Sequence, residues 1–296
     1  MKIDLIHYKR PVVIAEIGCN HKGDMRIAEQ MIKNASACGA DYVKFQKRNN
    51  KYLLKNDFYK PHPEPWNSYG KNYGEHREFL EFNIKQHKKL SQICKKNKIK
   101  YSVSVWEVKS AKEIVDSQIS LDYLKIPSAC NLDFELHEYL LKNFKKKIHI
   151  STGMTTKKEI SKILNFYEKK KRLKDIVLYS CVSSYPANFK DISLLDLLEL
   201  RKKYQSKINS IGFSGHHLGI SVDIAALTLG AEYIERHFTL DRSWKGTDHA
   251  ASLEPVGLNK LIRDLSHTFD ALKFKKKNGL LNSERFQRKK LKRFAL

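Results

Sequence analysis

The sequence predicts an α/β fold: a (β/α)8 TIM barrel in a single domain, with a long insertion after the second strand. Three observations predict it. Short β-branched runs alternate with longer amphipathic segments about eight times along the chain. The length of 296 residues fits a barrel of about 250 residues with short tails. Polar residues break the apolar runs, and they do so at the carboxyl ends of the runs.

The strand candidates are Val12–Gly18, Asp41–Gln46, Tyr101–Trp106, Tyr123–Ser128, Ile148–Thr152, Ile176–Cys181, Ser210–Gly215 and Tyr233–Phe238. Between them lie helical patterns at Met25–Cys38, Ile84–Lys96, Ala111–Asp116, Phe134–Asn143, Lys157–Lys169, Leu194–Tyr204 and Ile220–Leu229, and a further one at Gly257–Leu272 follows the last strand. An open doubly wound sheet is the alternative, but it usually has fewer strands. Residues Lys47–Glu78 interrupt the rhythm. They carry Pro61, Pro63, Pro65, Gly70 and Gly74, but also Trp66, Tyr69, Tyr73, His76 and Arg77. Loops this long are uncommon unless functional or disordered, and the aromatic content predicts an ordered lid. The barrel is placed at 1–272. The basic tail at 273–296 reads as an exposed helix or a frayed end.

Composition narrows the class. The hydrophobic share of 41% is enough for a sizeable core. No apolar run approaches the roughly 20 residues of a membrane span, and Met1 to Arg10 lacks an apolar leader core. The five cysteines are scattered, odd in number and form no C-x-x-C pair, so neither disulfides nor a structural zinc site is expected. A soluble cytoplasmic protein follows, with no membrane partner. The net charge of +24 suits an anionic partner. The lysines are diffuse, however, and equally describe a solvated surface. No nucleic-acid-binding motif is present, and none is expected as a partner.

A buried parallel strand is ordinarily apolar throughout. Here the first run ends in Glu16 with Asn20 and His21 beyond it, the second in Lys44 and Gln46, and the third carries Ser102 and Ser104. The fourth carries Lys125 and Ser128, the fifth ends at Ser151, and the sixth leads to Ser183 and Tyr185. The seventh ends in Ser214, Gly215, His216 and His217, and the eighth holds Glu235, Arg236 and His237. In a barrel, catalytic groups come from the carboxyl ends of several strands, so the coincidence predicts an enzyme. Lys44 and Lys125, with hydroxyls nearby, suit a phosphate and a carboxylate. His216 and His237 could share a divalent ion of the manganese, iron, cobalt or zinc kind. Glu16 and Glu235 are each open to three roles: base, hydroxyl clamp, or ion-pair partner of a barrel lysine. The glycines at Gly212 and Gly215 do not make a dinucleotide fingerprint.

The motifs Ala15-Glu-Ile-Gly-x-Asn-His-x-Gly23, Val43-Lys-Phe-Gln46, Lys125-Ile-x-Ser128, Ser151-Thr-Gly-Met154, Ser214-Gly-His216, Ile234-Glu-Arg-His-Phe-Thr239 and Trp244-Lys-Gly-Thr-Asp-His-Ala-Ala-Ser-Leu-Glu-Pro255 resemble those of the N-acetylneuraminate (sialic acid) synthase family. The resemblance runs in order from Pro11 to Leu272, and Tyr69-Gly-x-x-Tyr-Gly-Glu-His76 looks like the animal-type members. It implies a barrel enzyme, likewise a homodimer, that condenses phosphoenolpyruvate with a hexosamine-type sugar and releases phosphate. It implies a divalent metal, usually manganese, with magnesium or cobalt as substitutes. By motif match, His216 and His237 would hold that metal. Lys44, Ser104, Lys125, Ser128, Ser151, Ser183 and Ser214 would hold phosphoenolpyruvate. Glu16, Gln46, Tyr185, Glu235 and Asp248 would hold or polarise the sugar. Among these, Glu16, Lys44, Lys125 and Glu235 are the catalytic candidates.

The chain departs from that pattern at three points. Cys130 stands where the family commonly has a carboxylate, which implies a lost or replaced sugar contact. Ser183 stands where some relatives have Asn. The chain stops at Leu296, before the small antifreeze-like domain of many relatives, so that domain is expected to be absent. Alternatives to this reading are a synthase of another 3-deoxy-ulosonic acid and a non-catalytic barrel that binds RNA or another polyanion.

Overall fold

A computed structural model describes residues 8–274 and 279–294. The first seven residues of the leader reading, and residues 275–278 and 295–296 of the tail, lie outside it. Eight parallel strands close into a barrel in sequence order: β1 (Val12–Gly18), β2 (Tyr42–Lys47), β3 (Lys100–Val105), β4 (Tyr123–Ile126), β5 (Lys147–Ser151), β6 (Ile176–Cys181), β7 (Ser210–Gly215) and β8 (Tyr233–His237). The helices are α1 (Met25–Ala37), α2 (Asn50–Leu54), α3 (Tyr73–Phe79), α4 (Ile84–Lys96), α5 (Val108–Asp116), α6 (Phe134–Asn143), α7 (Lys157–Lys169), α8 (Asp196–Tyr204), α9 (Ser221–Thr228), α10 (Pro255–Ala271) and α11 (Asn282–Leu291).

Local chemistry sets the boundaries. Asp41 stays outside β2 because its carboxylate accepts from the Val13 amide at 2.8 Å. β4 stops at Ile126, short of the predicted Ser128, because Pro127 has no N–H for the ladder; Ser128 opens a 3-10 turn instead. β3, β5 and β8 likewise end one residue early, at Val105, Ser151 and His237. Asn83 and Gln86 cap α4 reciprocally, as Thr156 and Glu159 cap α7. Outward strand residues such as Val43, Phe45, Leu124, Ile126, Ile148 and Ile150 pack against the helices as the main core.

The insertion is ordered. It contains α2, α3 and two 3-10 turns and docks on the loop after β8. There the Tyr69 hydroxyl donates to the Lys245 carbonyl, and the Gly246 amide donates to Asn67 Oδ1 at 3.1 Å. In the tail, α11 buries none of its residues. Among the described residues no helix is long and apolar enough to cross a membrane. All five cysteines are free.

Candidate active site at the barrel mouth

Because side chains alternate along a strand, every second residue points into the barrel, and the parallel register brings these residues level. Glu16 lies opposite Lys44, Gln46 opposite Ser104, Ser104 opposite Lys125, Ser214 opposite Glu235 and Glu16 opposite His237. They line a cavity of about 240 Å³. All the predicted site residues except Asp248 border it: Glu16, Lys44, Gln46, Ser104, Lys125, Ser128, Ser151, Ser183, Tyr185, Ser214, His216, Glu235 and His237. A larger, more apolar cavity of about 450 Å³ opens between α7 and α8. It holds no histidine, and its Lys157–Glu199 pair is exposed, so the smaller cavity is the candidate site.

The charges are buried and paired. Lys44 Nζ lies 2.9 Å from Glu16 and 3.3 Å from Glu235, and donates to Ser104 Oγ at 3.0 Å. Lys125 Nζ donates to Glu235 Oε1 at 2.6 Å and stands 4.0 Å over the Tyr179 ring. Ser214 Oγ donates to the same carboxylate at 3.1 Å. Of the three roles open to Glu235, the structure shows the ion-pair partner. Burial pushes its carboxyl up, but Lys125 and Lys44 outweigh burial and hold it well below the ordinary value. Glu16 goes the other way. Burial raises it, and the single neighbouring lysine only partly offsets this. The two carboxylates are therefore shifted in opposite directions.

The hydroxyls gather on the β4–β6 side. A Cβ on Gly153 would sit 2.2 Å from Ser183 Oγ and 2.7 Å from Ser128 Oγ, so a glycine is what lets these two serines converge. Ser183 Oγ is buried without a hydrogen-bond partner. Beside them, at the ends of β7 and β8, the His216 and His237 rings stand 5.3 Å apart. His216 Nδ1 is fixed on the Val182 carbonyl at 2.7 Å, while His237 Nδ1 is buried and has no hydrogen-bond partner. Asp248 lies behind His237, 3.9 Å from that nitrogen. Burial raises its carboxyl, but His237 and Arg77 bring it below the ordinary value. Among the described residues no three metal-ligating side chains converge. An oriented imidazole pair with one orphaned nitrogen fits an open site completed by water and substrate oxygens.

Several residues bordering this space were not singled out from sequence. Cys181 lines the cavity. Burial raises its thiol, but His216 and Lys125 outweigh that and bring it to about 7. Its parity with Val177 and Tyr179 was the signal that could have found it. Trp106 and Met154 also line the wall, and nothing in their local sequence marks them. Cys130, where a lost or replaced sugar contact was expected, does not border the cavity. It is buried in the main core, and Ala129 borders the cavity instead, because the 3-10 turn after Pro127 rotates Cys130 inward.

Comparison with known proteins agrees with this geometry. Residues 31–277 match the NeuB family. The chain is 37% identical to N-acetylneuraminate-9-phosphate synthase of Drosophila melanogaster, covering 86% of this chain and 67% of that one. It is 34% identical to N,N'-diacetyllegionaminic acid synthase of Campylobacter jejuni, covering 87% and 76%. The N-acetylneuraminic acid (sialic acid) synthetase of Leptospira borgpetersenii, crystallised with citrate, superposes with a TM-score of 0.79 at 28% identity, over 97% of this chain and 94% of that one. A closed barrel with an acid, lysine and histidine mouth, matched along most of its length, places this chain in the NeuB family.

Proposed function

We propose that this chain condenses phosphoenolpyruvate with an N-acetylmannosamine-type hexose, or its 6-phosphate, to give a nonulosonic acid and phosphate. The observation that carries the proposal is the division of one cavity. Two buried lysines and converging serines lie beside a pair of imidazoles in one cavity of about 240 Å³. That is an anion pocket beside a site able to polarise a carbonyl. The synthase names of the Drosophila and Campylobacter relatives support it.

In this reading Lys44 and Lys125 hold the carboxylate and phosphate of phosphoenolpyruvate, and Ser128 and Ser183 donate to the phosphate oxygens. Ser104, Ser151 and Ser214 complete the pocket. Gln46, whose Nε2 donates to Glu16 at 2.8 Å, holds the open-chain sugar together with Tyr185 and Asp248. His216 and His237 would hold a divalent metal, manganese first, with magnesium or cobalt as substitutes. When bound, it supplies Lewis-acid polarisation of the sugar aldehyde. C3 of the enol then bonds to the aldehyde carbon, water adds at C2, and the C2–O bond to phosphate breaks. As C2 becomes a carbonyl, water's second proton leaves with the phosphate; its first passes to the new hydroxyl oxygen. Glu16, whose carboxyl burial raises, is placed to relay it.

The test is phosphate release from phosphoenolpyruvate with manganese across a panel of N-acetylmannosamine, its 6-phosphate, mannose 6-phosphate and diacetamido hexoses. Release that requires one sugar is expected. A folded, manganese-loaded protein that releases none with any sugar overturns the reading.

A further inference from the structure

Two polar residues at the strand ends, Arg236 and His217, do not border the cavity. Arg236 follows Glu235 on β8 and so points outward, away from the barrel axis. It is 1% exposed, and His217 and Asp223 of α9 are fully buried. Arg236 Nη1 donates to Asp223 Oδ2 and to the Gly219 carbonyl at 2.8 Å, and lies 3.1 Å from His217 Nε2. Its Nη2 donates to the His217 carbonyl at 2.6 Å. His217 Nε2 stands 3.2 Å from the same Asp223 oxygen. A Cβ on Gly215 would sit 2.8 Å from His217 Cε1, so a glycine there lets the ring fold back onto the strand end. One guanidinium thus ties the turn after β7 to β8.

Stability does not account for this network. His217 Nδ1, Asp223 Oδ1 and Arg236 Nε are buried with no hydrogen-bond partner. A buried charge network satisfied only in part is worse than an apolar core of the same shape. What distinguishes the network is its position. His217 is the residue after His216, and Arg236 is the residue before His237. The two imidazoles have few anchors of their own. His216 Nδ1 is held on the Val182 carbonyl, and His237 Nδ1 has no partner. The β7–β8 ladder ends at the Gly215–Arg236 pair, one residue short of both rings. Beyond that point the Arg236 side chain joins the two backbones that set the ring spacing of 5.3 Å.

We propose that Arg236, with Asp223 and His217, is a positioning device that sets the spacing of the His216–His237 pair for a divalent ion. This rests on the metal role given to that pair above. A planar guanidinium fork holds several acceptors in one fixed geometry, and Asp223 in turn fixes the fork. Groups that orient metal-binding imidazoles from behind ordinarily change metal affinity by about 10- to 100-fold when lost.

The experiment titrates the full chain with manganese ion alone in a calorimeter. Thermal melts and the KM for phosphoenolpyruvate at saturating manganese are read beside it. The variants are the double Asp223→Leu/Arg236→Met, Arg236→Lys and His237→Ala. The double variant removes both charges together and leaves no unpaired ion buried, so it should melt close to the wild type. It should nevertheless bind manganese about 10- to 100-fold more weakly, with the KM for phosphoenolpyruvate unchanged. Arg236→Lys keeps the charge but loses the fork. It should weaken binding by less, and it carries the test if the double variant does not fold. Manganese affinity equal to that of the wild type in the folded variants overturns the positioning role, however far their melting temperatures move. So does a KM for phosphoenolpyruvate that rises as far as the manganese Kd, because that reports a general loosening of the barrel mouth. His237→Ala separates this role from the metal reading. If it abolishes binding while the Arg236 variants bind normally, the metal reading stands and the positioning role falls. If it binds manganese like the wild type, the metal reading falls and the positioning role falls with it.

Discussion

In the lower half of the barrel the inward positions carry Ile14, Tyr42, Tyr123, His149, Tyr179 and Tyr233. Two residues further along the same strands they carry Glu16, Lys44, Lys125, Ser151, Cys181 and Glu235. The lower set is a stack of rings. Tyr123 and His149 lie parallel with centroids 3.6 Å apart, and Tyr42 and Tyr233 pack edge-on against them. The upper set is a network of ions in the same tube. The rings give the charges a dry, low-dielectric floor, where each electrostatic contact counts for more than it would in water. The Lys125 ammonium over Tyr179 is where the two layers touch. One step of the strand period thus separates residues whose loss should cost stability from residues whose loss should cost chemistry.

Breaking the upper layer at His237 should have the largest effect. We expect His237→Ala to lower turnover by about 1,000-fold or more, equivalent to about 4 kcal/mol, with a melting temperature close to that of wild type. Full activity at saturating manganese would remove His237 from the metal site. In the lower layer, Tyr123→Ala should behave oppositely. Tyr123 is fully buried and its hydroxyl donates to Ser102 at 2.9 Å. Truncation should cost about 3–5 kcal/mol of stability in a urea melt, while the remaining folded fraction keeps its affinity for phosphoenolpyruvate. A stability unchanged by Tyr123→Ala would undo the division into layers.

Lys125→Ala sharpens the comparison at the boundary. It removes one of the two cations on Glu235 and uncovers the Tyr179 ring. We expect kcat/KM for phosphoenolpyruvate to fall by about 100-fold, with a stability loss of about 1–3 kcal/mol because Glu235 keeps only Lys44. An unchanged response to phosphoenolpyruvate would take Lys125 out of the anion pocket.

A pH slope tests buried imidazoles outside the site. His21 and His87 are buried, and burial lowers both to about 3 against an unfolded value of 6.5. The unfolded chain takes up these protons below pH 6.5, whereas the native one resists until about pH 3. Their stabilising contribution is therefore complete above pH 6.5 and is lost as pH falls toward 3, by up to about 1.4 kcal/mol per unit for each histidine. Thermal melts from pH 7 to 4 should show the decline, and His87→Gln should flatten it. A pH-independent melting temperature would show that these rings titrate normally.

Much of this organisation was legible in the chain. The β-branched runs placed all eight strands to within two residues at each end, because burial on both faces leaves a short apolar signature. Polar interruptions at the same end of each run exposed Glu16, Lys44, Lys125, Ser214, Glu235 and His237, since no apolar core accounts for them. Other residues carried no such signal. Cys181 and Trp106 enter the site only through strand parity and barrel closure. Cys130, where the resemblance implied a lost or replaced sugar contact, packs in the core and does not border the cavity.

By itself, the sequence determined the βα rhythm, the long insertion after β2 and the chemical kinds of group at the mouth, because periodicity and residue type are local properties. Only the tertiary structure decided which charges meet. Closing the barrel brings β8 beside β1, so Glu235 accepts from a lysine 110 residues away and His237 lies level with Glu16. Ion pairing depends on distance and burial across the closed sheet, and neither quantity exists along an unfolded chain.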